Sequence, residues 1–211
     1  MADRRVRRTR RVLHVAMIEL ILEKGYPRIT VQDILDRADV GRSTFYAHYR
    51  DKDALLLSTF DDLRADLRAD IDAMWPGEPL DDPAQLSRAV FAHAHQNQIV
   101  YRALCGKPSA GTVAQRHLHD MIGDIFHEHL RPHLDDAGSP LTAVLVSEFC
   151  ASALLGMLVW YVEENFAYDP TWMAQAYGTL TIPGIMAALD QPGAGGRHHQ
   201  PEYYALPPGP R

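Results

Sequence analysis

The sequence predicts an all-α protein with a small N-terminal head and a larger helical body. Apolar residues recur at intervals of three and four along most of the 211 residues, which is the period of an amphipathic helix. No segment alternates between apolar and polar residues as a half-buried strand would. We expect the head at residues 1–50, the body at 51–190, and a disordered tail rich in proline and glycine at 191–211.

The head begins with a basic segment, residues 1–7, that we expect to be disordered. The next apolar stripe predicts a first helix, which ends before Gly25 because glycine favours the position after a helix C-terminus. The residues of this stripe are Leu13, Ala16, Met17, Leu20 and Ile21.

Residues 29–55 predict two short helices around a tight turn, followed directly by a fourth helix. Thr30 is a suitable N-cap, and Asp33 stands at the third helical position. Residues 38–41 then form the turn before a second short helix at 42–48. A polar, aromatic and cationic helix after such a turn is typical of proteins that read the major groove of DNA. The head is therefore a candidate DNA-binding unit.

The charge distribution supports that interpretation. Residues 1–52 carry 12 Lys and Arg against 7 Asp and Glu, a net charge of +5, whereas the other residues sum to −11. An acidic protein with a basic head contacts a polyanion through the head alone. On its own, the basic run at residues 4–11 would be explained equally well by a solvated surface.

A specific motif lies at residues 44–52, where the sequence reads TFYAHYRDK. Together with the preceding turn, it resembles the head of the tetracycline-repressor-like (TetR/AcrR) family of bacterial transcriptional regulators. A softer match is the run at residues 153–156 followed by Trp160. Two residues depart from the family pattern, since Asp39 stands where Gly is usual and Gly41 where Ser is usual. Asp tolerates a left-handed turn and Gly is an acceptable N-cap, so neither threatens the fold.

The resemblance implies that the second short helix contacts operator DNA. Tyr46 and Lys52 would bind phosphates, Ser43 and Thr44 would reach phosphates or base edges, and Arg42 could pair with guanine through two hydrogen bonds. For Tyr46 the alternative is a half-buried packing role. The full set of expected DNA-binding residues is Thr30, Arg42, Ser43, Thr44, Tyr46, His48 and Lys52.

Five helices are predicted in the body, beginning near residues 51, 82, 113, 140 and 170. The first has about 24 residues and would span about 36 Å, enough to link the head to the rest of the body. The second is expected to reach Leu104. Pro132 is expected to kink or shorten the third, and Pro183 to break the last.

The composition indicates a cytoplasmic protein with no membrane span. The apolar stretch at residues 141–162 contains Glu148, so a buried helix explains it better than a membrane segment. No signal peptide is evident. Cys105 and Cys150 lie far apart without a CxxC pattern, which favours reduced thiols.

Polar residues that interrupt the apolar stripes of the body suggest a pocket for a small molecule. His93 and Asn97 share one helix face, and soft or aromatic residues could line the same space. The alternative is that these are polar core residues with satisfied hydrogen bonds. The candidate ligand-binding residues are His93, Asn97, Tyr101, Met121, Phe126, Phe149, Met157 and Trp160.

No catalytic, metal-binding or cofactor-binding pattern is evident. His129 and His133 have helical i, i+4 spacing, but Pro132 lies between them and no third ligand completes a set. A Gly-rich phosphate loop, a nucleophile elbow and an HExxH motif are all lacking. We therefore expect no catalytic residues, no metal site, no cofactor and no enzyme activity.

The resemblance implies a repressor that a small-molecule effector would release from a palindromic operator in double-stranded DNA. It would be a homodimer, with the helices at 140–165 and 170–187 pairing in a four-helix bundle. These helices are apolar on more than one face and contain small residues that permit close contact. A ligand-independent architectural DNA-binding protein and a helical small-molecule enzyme are the alternatives.

Overall fold

The computed structural model describes residues 2–74, 83–106, 111–136 and 143–189, and the regular elements in those segments are all helical, which confirms the all-α class. A short 3₁₀ helix occupies Tyr26–Arg28. The α-helices are α1 (Ala2–Lys24), α2 (Val31–Ala38), α3 (Arg42–Tyr46), α4 (Lys52–Met74), α5 (Pro83–Gln96), α6 (Gln98–Cys105), α7 (Gly111–Asp136), α8 (Ala143–Glu163) and α9 (Pro170–Leu189). The tail predicted at residues 191–211 lies outside the described segments.

The core of the head is built from α1, α2, α3 and the first turns of α4. Leu13, Ile21, Ile34, Phe45 and Leu55 are completely buried in it. The prediction that residues 1–7 are disordered is wrong from residue 2 onward, because α1 begins at Ala2. Arginine has a high helix propensity, so a helix anchored by its buried residues can extend through an exposed basic segment.

Local hydrogen bonds fix the ends of α2 as the sequence suggests. The Asp33 backbone N–H donates to Thr30 Oγ1 at 3.2 Å, and the Thr30 N–H donates to Asp33 Oδ2 at 2.7 Å. Asp39 ends the helix with φ 51° and ψ 48°, a left-handed conformation that Asp adopts more readily than most residues. Gly41 has φ −66° and gives α3 no side-chain cap, so a residue with a side chain fits its backbone equally well.

The body consists of α4 to α9, in which α7 packs on α8 and α5 packs on α9. Long α4 connects the two parts because its first turns are buried in the head and its later residues Leu63, Leu67 and Ile71 are buried in the body. The apolar core runs without interruption from α1 to α9 in the described residues.

Three predicted helix limits in the body are wrong. The helix expected from residue 82 to Leu104 is divided at Asn97, whose side-chain Nδ2 donates to the His93 carbonyl at 2.9 Å. Asparagine offers the backbone such local hydrogen bonds, and these compete with helix continuation. Pro132 does not shorten α7, which continues to Asp136, and α9 passes through Pro183. Pro183 is exposed, so water can satisfy the carbonyl that the missing N–H leaves free.

Within the described residues, α8 is long and apolar enough to cross a membrane by length and composition. A core helix of a water-soluble protein passes the same test, and one face of α8 is buried against α7. The residues buried on this face include Cys150, Ala151, Leu154 and Leu158. These contacts agree with a helix that belongs to a protein core.

Candidate DNA-binding site

Helix α3 presents polar side chains to solvent around one buried anchor. Arg42, Ser43, Thr44 and Tyr46 are exposed, whereas Phe45 is completely buried. The Phe45 ring meets the Tyr46 ring edge-on at 5.3 Å. Half of Tyr46, 49%, is exposed, so its ring both packs and reaches solvent. One turn of helix thus has a fixed core side and a free polar side.

The neighbouring helix α2 orients Arg42. An Arg42 guanidinium N–H donates to Gln32 Oε1 at 2.8 Å, and Gln32 Nε2 donates to Asp36 Oδ1 at 2.8 Å. All three side chains are exposed, so water competes with these bonds and the guanidinium can leave them for a stronger partner. Sequence reasoning missed the role of Gln32, although its i, i+4 spacing to Asp36 was a usable signal.

Thr30 lies at the exposed start of α2, where its own backbone N–H and hydroxyl are bonded to Asp33. Asp33 also forms an ion pair with Lys24 of α1 at 2.8 Å. The hydrogen bonds from Lys24 and Thr30 lower the pKa of Asp33 strongly, so this carboxylate stays charged. Thr30 is therefore held at a helix N-terminus that is fixed to α1, where free backbone N–H groups favour an anion.

Lys52 has intramolecular contacts that sequence reasoning did not foresee. Its ammonium donates to the carbonyls of Tyr26 at 3.2 Å and Ile29 at 2.9 Å, and it lies 4.5 Å from the centre of the Tyr26 ring. These bonds join α4 to the segment between α1 and α2. An ammonium has three N–H groups, so one donor is left for a phosphate. The predicted phosphate contact stays a prediction beside this structural role.

Basic side chains form a second exposed surface on the head. Arg4, Arg5, Arg7 and Arg8 are exposed on the first turns of α1. His48, half-buried, follows α3. The head therefore offers hydrogen-bond donors on α3 and a separate cationic surface on α1. Two such surfaces suit a polyanion with many phosphate groups, such as DNA.

Comparison with known proteins identifies this arrangement. The sequence model for bacterial regulatory proteins of the tetR family matches residues 13–59, from the middle of α1 to the second turn of α4. The head of the chain therefore matches the tetR family of bacterial regulatory proteins. This confirms the resemblance seen in the motif at residues 44–52. The family is one of regulatory proteins rather than of enzymes.

A curated relative and two solved structures extend the likeness beyond the TetR head. An uncharacterised HTH-type transcriptional regulator, YxbF of Bacillus subtilis (strain 168), is 25% identical over 177 residues, which cover 83% of this chain and 45% of the relative. This chain thus spans less than half of that relative's length.

The solved structures share the fold over more than four fifths of this chain. A TetR transcriptional regulator from Streptococcus agalactiae 2603V is 23% identical, with 85% of this chain and 97% of that chain covered and a TM-score of 0.61. The regulator FadR from Bacillus subtilis, solved in complex with stearoyl-CoA, is 14% identical. The match covers 82% of this chain and 97% of that chain, with a TM-score of 0.65.

In the body, two of the predicted ligand-binding residues form a buried pair. His93 and Tyr101 are buried, and His93 Nδ1 lies 3.0 Å from the Tyr101 hydroxyl. Burial lowers the pKa of His93, although the carboxylates of Asp70 and Asp66 oppose the effect. Asn97 lies at the break between α5 and α6. The imidazole is thus a neutral hydrogen-bonding group in an apolar interior.

The other predicted pocket residues do not share one location. Met121 and Phe126 are buried on α7, and Met157 is half-buried on α8. The placement of Phe149 and Trp160 inside the body is wrong, because 53% and 39% of these residues are exposed on the outer surface of α8. Helix α8 is apolar on nearly all sides, so its sequence did not reveal which face is buried.

A cleft lies where the head meets the body. It has a volume of about 930 Å³ and is lined by α1, α4 and the junction of α5 and α6, including His14, Asp62 and Asn97. Of the predicted ligand-binding residues, Asn97 lines it. No sequence signal marked this cleft, because it forms where three segments that are distant in sequence come together.

Proposed function

We propose that the chain is a cytoplasmic transcriptional regulator whose head, residues 1–50, binds a palindromic operator as a repressor. The observation that carries the proposal is α3, with its exposed polar side chains anchored by completely buried Phe45. Phosphate contacts from α1 and α3 would supply the affinity, which should fall as salt concentration rises. Arg42 would supply base selectivity by leaving Gln32 for a guanine edge.

The test of this proposal compares Tyr46→Phe with Arg42→Ala. Duplexes are first selected by the purified chain from a randomised library, and affinities are then measured at moderate salt. Tyr46→Phe removes a hydroxyl while keeping the ring on Phe45, so we expect weaker binding to every selected sequence, by about 1 kcal/mol per hydrogen bond lost. Arg42→Ala should also relax the preference at one base pair, which is worth about 1–3 kcal/mol.

Arg88→Ala is the matched control, because Arg88 is exposed on α5 in the body and should leave both affinity and base preference unchanged. Lys52→Ala is a poor test of phosphate binding, since loss of its two carbonyl contacts should lower stability as well. Unaltered affinity in Tyr46→Phe and an unaltered selected sequence in Arg42→Ala would contradict this placement of the DNA.

We propose further that residues 51–190 form the dimerisation and ligand-binding part. A five-residue reading helix covers few base pairs, so two-fold pairing on a palindrome is the usual solution. Exposed apolar residues on α8 and α9 support pairing through these helices. The most exposed of them are Leu180 at 74%, Val144 at 59%, Leu145 at 56% and Phe149 at 53%.

The ligand proposal is supported by the His93–Tyr101 pair in an apolar interior. Such a pair can orient a small molecule by exchanging its internal hydrogen bond for one to the ligand. FadR from Bacillus subtilis, with the same fold, was solved with stearoyl-CoA bound, which supports a small-molecule effector without specifying its chemistry here. Binding would change the DNA affinity only if the effector prefers one of two arrangements of the heads.

A compound library tests the effector. We expect at least one compound to release the selected duplex and to raise the melting temperature of the free protein, because a ligand that binds the folded state stabilises it. Tyr101→Phe, which removes only the hydroxyl, should reduce that stabilisation, whereas His127→Gln on α7 should not. Failure of every compound to release the duplex would favour the ligand-independent architectural alternative.

A further inference from the structure

A chain of hydrogen bonds centred on His14 crosses the joint between the head and α4. His14 Nδ1 lies 2.9 Å from Asp62 Oδ2, and His14 Nε2 lies 2.5 Å from Ser58 Oγ and 3.1 Å from the Tyr49 hydroxyl. The Ser58 and Tyr49 hydroxyl oxygens are themselves 3.1 Å apart. The network therefore connects α1, the segment after α3, and two turns of α4.

The Asp62 carboxylate determines which ring nitrogen of neutral His14 carries the proton. A carboxylate can only accept, so the Nδ1 proton of His14 points to Asp62 and Nε2 offers a lone pair. A hydroxyl of Ser58 or Tyr49 must then donate to Nε2. In this state the imidazole donates to Asp62 on α4 and accepts from Ser58 on α4 or from Tyr49 in the head. Nδ1 therefore bonds the head to α4, and Nε2 adds a second such bond when Ser58 donates.

Protonation changes that arrangement at a defined atom. Nε2 gains a proton and becomes a donor, so Ser58 must turn its own proton away, and the Leu55 carbonyl at 3.1 Å is the available acceptor. The Tyr49 hydroxyl can then no longer donate to the imidazole. In addition, Arg10 lies 3.5 Å from Asp62, so a cationic His14 competes with Arg10 for one carboxylate.

We propose that His14 is a proton-sensitive latch, which holds the head on α4 while its imidazole is neutral and loosens the joint when it is protonated. A serine, a histidine and an aspartate bonded in this arrangement, as Ser58, His14 and Asp62 are, also occur in hydrolytic triads. Here, however, Ser58 is buried against Tyr49 and the Leu55 carbonyl, so its oxygen is not presented to a substrate. The geometry fits a joint rather than a nucleophile.

The burial of His14 determines the direction of its pKa shift, and the neighbouring charges modify it. Burial is the main cause that lowers its pKa, Asp62 opposes it, and Arg10 adds to it. The further titratable or charged residues lining the cleft that His14 faces are Arg11, Glu19, Asp66, His95 and Arg102. Since the folded joint favours the neutral form, the unfolded chain takes up the proton first as the pH falls. The stability from this network is therefore complete above about pH 6.5 and is lost as the pH falls through the folded pKa.

Hydrogen exchange of the full chain without DNA tests the latch directly. We expect protection factors of amides in α1 and at residues 49–56 to fall by about twofold to tenfold between pH 7.5 and 5.5. His14→Gln, which cannot take up the proton, should lose this dependence, and Ser58→Ala should weaken protection already at pH 7.5. His127→Gln should behave as the unaltered chain does.

A second measurement follows the affinity for the selected duplex over the same pH range, and this part rests on the proposed function. We expect affinity to fall with acid in the unaltered chain and to fall less in His14→Gln. Unchanged protection in the unaltered chain, or an undiminished fall in His14→Gln, would overturn the latch. Loss of protection without any change in affinity would overturn its coupling to DNA. Because exchange needs no DNA, it still decides the latch if the chain proves to bind none.

Discussion

A Phe45→Ala variant should lose DNA binding because its head unfolds. Phe45 is completely buried and contacts the rings of Tyr46 and Tyr49 at 5.3 and 6.0 Å. Helix α3 has five residues, far fewer than an isolated helix needs to be stable in water. Its position thus depends on this one side chain. Replacing a buried phenylalanine by alanine costs about 3–5 kcal/mol, a large part of a domain's stability.

Urea unfolding followed by circular dichroism measures this loss, and Tyr46→Ala is the matched comparison. Tyr46 is the next residue on the same helix but is half exposed, so we expect it to reduce stability by less than about 1 kcal/mol. All three tryptophans follow residue 74 in the sequence, so their fluorescence reports the body separately. Equal losses of stability in the two variants would show that Phe45 does not anchor the head.

The head could be predicted from the sequence because its determinants are local. The capping box joins Thr30 to Asp33 within one turn, and the left-handed position at Asp39 is set by the residue itself. The alternation of exposed and buried residues around Phe45 also follows from one helical turn. Each of these features depends on residues at most a few positions apart, where steric and hydrogen-bonding preferences act without the rest of the fold.

The body was predicted less well because its determinants are contacts between distant segments. Asn97 could have continued the helix, but its side chain bonds to the His93 carbonyl instead. Pro183 stays within α9 because that turn faces solvent. Neither outcome can be read from propensity alone, since burial decides whether an unsatisfied backbone group is costly.

The candidate sites also differ in whether local sequence or distant contacts determine them. The exposed polar residues of α3 follow from a short motif. By contrast, the His14 network joins residues 44 positions apart, and no periodic pattern marks such a pair. Phe149 and Trp160 were misplaced because an apolar residue looks the same in sequence whether it faces a core or a partner. Only the packing of α8 on α7 separates these two cases.

Leu180→Asp and Phe149→Asp should each convert the protein from a dimer to a monomer. Leu180 and Phe149 line one apolar groove of about 370 Å³ between α8 and α9. At one end of these helices lie the exposed rings of Trp160, Tyr168 and Trp172. The Tyr168 ring centre is 5.0 Å from that of Trp160 and 4.9 Å from that of Trp172. Exposed apolar surface of this kind marks an interface. An unpaired carboxylate buried there costs several kcal/mol, and a two-fold interface would contain two of them.

Light scattering during gel filtration at micromolar concentration measures the mass, and Ile99→Asp is the matched control. Ile99 is an equally apolar residue with 62% exposure, but it lies on α6, so this variant should stay dimeric. The monomeric variants should also bind the selected duplex far more weakly. In a dimer the second head binds as an intramolecular step once the first is bound, and a monomer lacks this advantage. A dimeric mass in both Leu180→Asp and Phe149→Asp would exclude the face between α8 and α9, and a monomeric mass of the unaltered chain would exclude the dimer itself.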